Sequence, residues 1–367
     1  MLRIGNFPAI EFGEEVRMTD MIDKDGTFTR QAAMAREMGS PFVADVLEAG
    51  LRQIQRAPHT AAMIDRWTGG RQGDAVALRF NGALHALARR GATPGLAALY
   101  RDLDGDFDAV LGEVLEQEDR FIAEWMKGAP QTNEVGRSAA IWAALMVAAR
   151  DIALPFELIE LGSSAGLNLN LAHYGYDLGG LTSGDPASLV QLRPEWRGPM
   201  PEPADVRIVS ARGVDIDPLD IRKADARERL MAFVWADNGE RMDRLAAAIR
   251  IAEMHPPRID RADAAEWIEA RLAEPQAAGV TRAVFHSIVL QYLPPDGRER
   301  VHGAIEDAGR HATAERPLAH IAFEWDTARN CAGLTLTLWP GGSVRRLADC
   351  QAHGAWIAWQ GGEPLRA

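Results

Sequence analysis

One short stretch of the chain, residues 156–169, combines residue types that can do chemistry. It begins with a mostly apolar run of the kind found in buried strands. Small residues follow from Gly162 to Gly166, and they let the backbone turn tightly and approach a ligand. A short helix is predicted from Leu167 onward. A strand, a glycine turn and a helix N-terminus together indicate a site for an anion or a nucleotide, because backbone N–H groups point into the turn.

The same turn also matches a hydrolase motif. The run Gly162-Ser163-Ser164-Ala165-Gly166 fits Gly-x-Ser-x-Gly, in which Ser164 would be the attacking hydroxyl of an α/β serine hydrolase. That chemistry needs a later acid and a later histidine, for which Asp263 or Asp326 and His353 are candidates. However, the hydrolase fold places several strands before its nucleophile, and the upstream sequence shows only helical patterns. A tight turn that binds no ligand is the third interpretation.

Acidic residues also end two later predicted strands. One strand covers residues 213–218 and delivers Asp215, and the next covers residues 257–263 and delivers Asp263. With Glu160, three successive strands place a carboxylate at the same edge of a sheet. Carboxylates accept hydrogen bonds from hydroxyl and amino groups. A nucleoside offers both, so ribose suits Asp215 and an adenine amino group suits Asp263; the alternative is that these acids cap helices.

Candidates for proton transfer lie after the apolar strand at residues 283–287. His286 is the best general base, because the unperturbed pKa of histidine lies near neutrality. Tyr292, in the segment that follows, is a second catalytic candidate. Glu324 ends the next strand and is a candidate contact for a substrate.

A polar cluster precedes the helix that leads into the central strand. Asn133 and Arg137 are candidates for binding a carboxylate of a substrate, and Glu134 is a candidate for orienting an amine or hydroxyl. In the alternative interpretation, Thr132 or Asn133 caps a helix that runs to about residue 153, with Glu134 near its positive end.

The order of elements predicts two domains. Residues 1–130 carry helical patterns, and residues 131–367 alternate strands with helices, which predicts a mostly parallel sheet covered on both faces. We expect an insertion at about residues 174–205, formed by a small hairpin with a loop over the site. Two further expectations concern strands: residues 206–209 form a separate edge strand, and residues 334–338 pair antiparallel with residues 356–359 near the C-terminus.

Composition narrows the classes of function. The chain has 367 residues and a net charge of −12. We therefore expect a small-molecule substrate and no nucleic-acid partner. No apolar run is long enough to span a bilayer, and residues 1–8 lack the apolar core of a signal peptide, so we expect a cytoplasmic protein without a membrane partner. Cys331 and Cys350 are the only cysteines, which is too few for a cysteine-rich metal site.

Several of these motifs resemble those of class I S-adenosylmethionine (SAM) methyltransferases. The pattern Glu-x-Gly-x-x-x-Gly at residues 160–166, the acid-ending strand at 213–217 and the Ala-Asp pair at 262–263 carry the resemblance, which covers roughly residues 140–360. The whole chain is also similar to a family of uncharacterised bacterial proteins, a domain of unknown function with a methyltransferase-like core. The matching stretches are residues 38–41, 131–137, 160–168, 213–220 and 353–356.

The resemblance implies a Rossmann-like α/β fold with an antiparallel C-terminal strand pair, a SAM cofactor, and S-adenosylhomocysteine as product. It implies that Asp215 holds the ribose and that Asp263 contacts adenine. The remaining cofactor contacts would come from the first motif, namely Glu160, Gly162, Ser163, Ser164 and Gly166. Ser164 stands where the methyltransferase pattern usually has its middle glycine. A serine hydrolase and a catalytically inactive nucleotide-binding protein stay open as alternatives.

Overall fold

The computed structural model describes residues 22–326 and 329–361. Residues 1–8, on which the expectation about a signal peptide depends, lie outside this range. The described residues divide into two compact units. The first contains the described chain up to Pro130 together with Ala232–Gly239, and the second contains Gln131–Met231 and the described chain from Glu240.

The first unit is helical. Its helices are amphipathic, and their apolar faces form one core that includes Phe28, Leu47, Phe80 and Leu115. Among the described residues before Phe156 there is no strand. The helices are α1 (Thr27–Glu37), α2 (Pro41–Arg52), α3 (Pro58–Asp65), α4 (Val76–Arg90), α5 (Pro94–Asp102) and α6 (Phe107–Lys127).

The chain after Pro130 is α/β. In chain order its elements are α7 (Ser138–Ile152), β1 (Phe156–Leu161), β2 (Gly175–Leu178), β3 (Leu181–Gly184), β4 (Gln191–Leu192), β5 (Glu195–Arg197), β6 (Ile208–Asp215), α8 (Ala224–Ala232), α9 (Gly239–Met254), β7 (Ile259–Arg261), α10 (Ala264–Ala273), β8 (Thr281–Ser287), α11 (Pro295–Arg310), β9 (Leu318–Trp325), β10 (Ala332–Trp339), β11 (Ser343–Cys350) and β12 (Trp356–Trp359).

The large sheet is mostly parallel, as the sequence predicted. Its order is β5-β12-β11-β10-β9-β8-β1-β6-β7, and the strands from β9 to β7 in this order are all parallel. The chain goes outward from β1 to β6 and β7, and then returns to the other side of β1 to form β8 and β9. The winding direction therefore reverses between β1 and β8, and the carboxyl ends of these strands form the crevice where open α/β sheets bind ligands.

Burial explains why β1 reads as an apolar run. Ile159 and Leu161 of β1 pack with Val284 in a core that also takes side chains from α10 and α11. Helix α7 contacts β9, β10 and β11 on one side and β2 on another, so nearly every residue of this helix is buried. A helix that is apolar around its whole circumference is typical of this position.

The insertion forms a hairpin of β2 and β3, and β4 joins it in a separate three-stranded sheet. This hairpin packs against α7, where Trp142 stacks on Tyr176 and donates its indole N–H to Ser183 Oγ at 2.9 Å. Its base is held by the Tyr174 hydroxyl, which donates to the carbonyl of Leu167. The contacts made by the hairpin are therefore with α7 and with the segment that follows the glycine turn.

Two strand predictions were wrong. Residues 206–209 are not a separate edge strand, because β6 runs unbroken from Ile208 to Asp215 between β1 and β7. Strands β10 and β12 do not pair, because β11 lies between them. The register between β10 and β11 shifts near Leu334, so β11 loses the strict two-residue alternation by which a strand is recognised. Among the described helices, none has the length and apolar character needed to cross a bilayer.

Candidate functional site

The glycine turn, residues 162–166, follows β1 and is shaped by close packing. Gly162 and Gly166 both adopt left-handed backbone angles, with φ of 70° and 72°. A β-carbon at Gly162 would collide with the side chain of Val289, and one at Gly166 would lie 2.7 Å from Pro257. These two glycines are therefore required by the backbone angle and by protein neighbours.

Five N–H groups in and just after the glycine turn donate to protein acceptors. The expectation of N–H groups left open for a ligand is wrong for these five. The following short helix is a 3₁₀ segment, Leu167–His173. The bonds are Gly162 and Ser163 to Val214 O, Ser164 to Asp215 Oδ2, Gly166 to Ser163 O, and Leu167 to Asn133 Oδ1.

The bridging segment, residues 131–137, contacts loops from three strands. Gln131 accepts a hydrogen bond from Ser164 Oγ at 2.8 Å and donates to the carbonyl of Asp217 at 2.7 Å. Arg137 donates from Nη1 to the carbonyl of Ser287 at 2.9 Å. Together with the bond from Leu167 to Asn133, these contacts place the segment across the carboxyl ends of β1, β6 and β8.

The acids of β6 and β7 lie at the predicted edge of the sheet. Asp215 is half-buried and accepts from the N–H of Ser164 at 2.8 Å and from the N–H of Asp217 at 2.9 Å. Asp263 caps α10, and its Oδ1 accepts from the N–H groups of Ala265 and Glu266. Each carboxylate oxygen has two acceptor positions, so both acids keep capacity for a ligand.

Glu160 lies beneath the glycine turn and is 2% exposed. Burial raises the pKa of its carboxyl well above the usual range, and the charge of Asp215 acts in the same direction. The side chains of Ser163 and Asn168 and the charge of Arg137 act in the opposite direction. Among the described residues Glu160 Oε2 has no hydrogen-bond partner, which is unusual for a buried polar atom.

His286, near the end of β8, is completely buried. Its Nδ1 lies 2.7 Å from Glu324 Oε1, and its Nε2 lies 2.9 Å from His320 Nε2. Burial lowers the pKa of His320 well below its usual value, and His286 and His302 lower it further. Because the His286 ring is completely buried, any role in proton transfer must act through Glu324 or through His320.

Glu324 lies at the end of this histidine chain nearest the loop after β8, and 19% of its side chain is exposed. Its Oε1 also accepts from the N–H of Val289 at 3.1 Å, so the carboxylate holds the loop after β8 in place. Tyr292 lies at the end of that loop and is 73% exposed, which leaves its hydroxyl at the surface of the protein.

Glu134 is buried and strongly ion-paired. Its Oε2 lies 2.7 Å from Arg241 Nη2, and its Oε1 lies 3.2 Å from Arg244 Nη2. Burial alone would raise the pKa of Glu134, but the two arginines outweigh it and lower the pKa to about 2. A carboxylate held in this way is a poor proton acceptor at neutral pH. His353 lies close enough to Glu134 for their charges to interact. Burial together with the charge of Arg241 lowers the pKa of His353 to about 3.

Local structure around Glu134 differs from the predicted cap. Helix α7 begins at Ser138 and follows a 3₁₀ turn, Val135–Arg137, which Glu134 caps by accepting from the N–H of Gly136. Asn133 caps the segment after the glycine turn instead. Sequence reasoning missed Arg241 and Arg244 because neither lies near the bridging segment in sequence; their spacing of three residues on a helix face was the available signal.

The groups needed by a serine hydrolase are not assembled around Ser164. The Ser164 hydroxyl donates to the side-chain oxygen of Gln131, while His353 lies in the environment of Glu134. Asp326 accepts a long contact from Cys331 Sγ. In the part of the chain that the structure describes, no group of three or more His, Cys, Asp and Glu side chains is placed to hold a metal ion.

Comparison with known proteins gives one match. The family model DUF2332, described as an uncharacterized protein conserved in bacteria, matches residues 25–359. This confirms the similarity to an uncharacterised bacterial family that the sequence motifs indicated. Searches of curated proteins and of solved structures found no match.

Proposed function

The chain belongs to the DUF2332 family, and from the geometry of its crevice we propose that it is a SAM-dependent methyltransferase with a small-molecule acceptor. One observation carries the proposal. The glycine turn, Asp215 and Asp263 follow three adjacent parallel strands, β1, β6 and β7, beside the point where the winding direction reverses. This is where open α/β sheets bind nucleotides.

The residues at this edge suit the polar groups of SAM. Asp215 and Asp263 retain acceptor capacity for ribose hydroxyls and an adenine amino group. Among the described residues Glu160 Oε2 is buried without a hydrogen-bond partner. An ammonium group of a ligand would satisfy the ionised form of this carboxyl and would favour that form against the effect of burial. The unmatched oxygen thus supports a ligand that carries an amine close to its nucleoside.

The protein's task in such a reaction is mainly positioning. SAM supplies an electrophilic methyl group, and holding the acceptor in line with it accounts for much of the rate. Asp215 and Asp263 would hold the nucleoside, and the bridging segment would fix the glycine turn through Gln131 and Asn133. A base is needed only for acceptors that lose a proton, and Glu324, oriented by His286, is then the accessible candidate.

Calorimetry with SAM and with S-adenosylhomocysteine tests the proposal directly. We expect both to bind, since both carry the adenosine and amino-acid groups that the site recognises. Failure of both to bind at millimolar concentration would reject the methyltransferase proposal. Binding of adenosine without any gain from the amino-acid part would instead favour a nucleotide-binding protein.

The Asp215→Ala variant tests the placement of the ribose. We expect SAM to bind at least tenfold more weakly, because hydrogen bonds to a charged acceptor contribute about 1.5–3 kcal/mol each and about 1.4 kcal/mol is a factor of ten. Asp217→Ala is the matched control, since its carboxylate lies in the same loop but pairs with Arg261 at the surface. Equal SAM affinity in the wild type and Asp215→Ala would show that Asp215 does not hold the ribose.

A further inference from the structure

Arg137 differs from three other arginines around the carboxyl edge of the sheet, because it has no acidic partner in the part of the chain that the structure describes. Arg241 and Arg244 pair with Glu134, and Arg261 pairs with Asp217. Arg137 donates from Nε to the carbonyl of Ala352 at 2.8 Å and from Nη1 to that of Ser287 at 2.9 Å. Among the described residues, no carboxylate lies within ion-pairing distance of this guanidinium.

The surroundings make an unpaired charge costly at this position. Burial lowers the pKa of Arg137 and the charge of Arg241 adds to this effect, whereas Glu134, Glu324 and the hydroxyl of Tyr292 act the other way. The guanidinium also lies 6.0 Å from the ring centroid of Phe323. Arg137 is half-buried, and charges withdrawn from water are normally paired. An arginine beside a ligand crevice that has no acidic partner among the described residues therefore indicates a group that binds an anion.

Its geometry is already fixed for binding. Two backbone carbonyls hold Nε and Nη1, whereas Nη2 has no hydrogen-bond acceptor among the described residues. Nη2 therefore keeps both of its N–H donors for a carboxylate oxygen, on a guanidinium whose plane is already fixed. Little side-chain entropy remains to be lost when such a ligand binds.

The position of Arg137 separates it from the nucleoside contacts. Asp215 and Asp263 follow β6 and β7, on one side of β1. Arg137 is held by the residue that ends β8 and lies near the ring of Phe323 in β9, on the other side of β1. A nucleoside on the β6 side therefore leaves the β8 side for the methyl acceptor.

We propose that Arg137 binds a carboxylate of the methyl acceptor, so that the substrates of this protein are small carboxylic acids. The identification of the carboxylic acid as a methyl acceptor rests on the proposed function. The carboxylate site itself depends only on the contacts of Arg137 and can be tested without SAM.

Calorimetric titration with benzoate and malonate, at constant ionic strength set with chloride, tests the site. We expect the Arg137→Gln variant to lose at least tenfold in carboxylate affinity, while Arg298→Gln, which removes an exposed arginine, keeps the wild-type value. Arg137→Lys keeps the charge but not the planar fork and should fall between them. The proposal is wrong if the wild-type protein binds neither acid. It is also wrong if Arg137→Gln binds both acids as tightly as the wild type does.

A second titration identifies which carboxylate Arg137 holds. S-adenosylhomocysteine carries a carboxylate and 5′-methylthioadenosine does not, so comparing them shows whether Arg137 binds the cofactor's carboxylate. Because we place Arg137 at the acceptor, we expect Arg137→Gln to change the affinity for each nucleoside by less than twofold. Selective weakening of S-adenosylhomocysteine would assign Arg137 to the cofactor and overturn the acceptor proposal. If neither nucleoside binds wild-type protein, the methyltransferase proposal fails, and the benzoate titration still decides whether Arg137 binds a carboxylate.

If Arg137→Gln unfolds, modification of wild-type arginines by phenylglyoxal replaces it, with the modified peptides read by mass spectrometry. Benzoate should slow the modification of Arg137 and leave that of Arg298 unchanged. Equal protection of both, or of neither, would contradict a specific carboxylate site.

Discussion

Among single residues, Glu160 is the one whose chemistry the fold changes most. In the sequence it is one acid of several, but in the structure it is buried beneath the glycine turn, and one of its oxygens has no partner within residues 22–326 and 329–361. Its raised pKa means that the folded protein keeps this proton at pH values where the unfolded chain has lost it. The stability that this retained proton contributes is therefore fully present below the ordinary glutamate pKa, and it is lost as pH rises through the pKa of Glu160 in the folded protein.

The Glu160→Gln variant removes this ionisation. We expect the variant to gain stability relative to wild type as pH increases from 5 to 9, by about 1.4 kcal/mol for each pH unit between the unfolded and folded pKa values. Melting temperatures across this range measure the effect, with the exposed Glu299→Gln as control. A difference between variant and wild type that does not change with pH would mean that Glu160 is not a buried, proton-retaining group.

At the scale of elements, α7 ends with an alanine in a backbone conformation that glycine adopts more easily. Its C-cap, Ala153, has φ 56° and ψ 27°, a left-handed conformation that favours glycine. The N–H of Ala153 itself donates to Ala149 O at 2.8 Å, so the conformation is fixed by the helix end. The cap leads within a few residues into β1 and the glycine turn.

Ala153→Gly should stabilise the protein by about 0.5–1 kcal/mol, because relief of the left-handed strain exceeds the added flexibility of the unfolded chain. The same substitution at Ala148, inside α7 and fully buried, should destabilise by about 1 kcal/mol or more. Urea unfolding of both variants measures the change in the free energy of unfolding, which should have opposite signs for the two. A loss of stability at Ala153 would contradict the strain argument.

At the scale of the whole molecule, the chain does not divide at a single point. Ala232–Gly239 belongs to the first compact unit although it follows much of the second in sequence. Within that unit Phe233 lies against Gly82 and near the ring of Trp125, and Trp235 joins the core of the helices. Sequence reasoning placed a boundary near residue 130 but had no signal for this return of the chain.

A chain that begins at Gln131 should therefore expose an apolar segment. We expect it to bind the dye 1-anilinonaphthalene-8-sulfonate and to aggregate, because Phe233 and Trp235 lose their buried surroundings. Replacing both by serine in the shortened chain should reduce dye binding and aggregation. Equal dye binding with and without the two replacements would show that this segment does not depend on the helical unit.

The sequence by itself determined the α/β class, the strand–turn–helix corner around Gly162 and Gly166, and the order in which acids reach the edge of the sheet. Local pattern carries that information, because apolar runs, glycine turns and strand-ending acids are contiguous in the chain. The tertiary structure decided that protein groups accept hydrogen bonds from the N–H groups of the turn, that β11 separates β10 from β12, and that two backbone carbonyls hold the Arg137 guanidinium. These facts depend on contacts between distant parts of the chain, such as Arg137 with Ala352, and no local pattern records which polar group will find which partner.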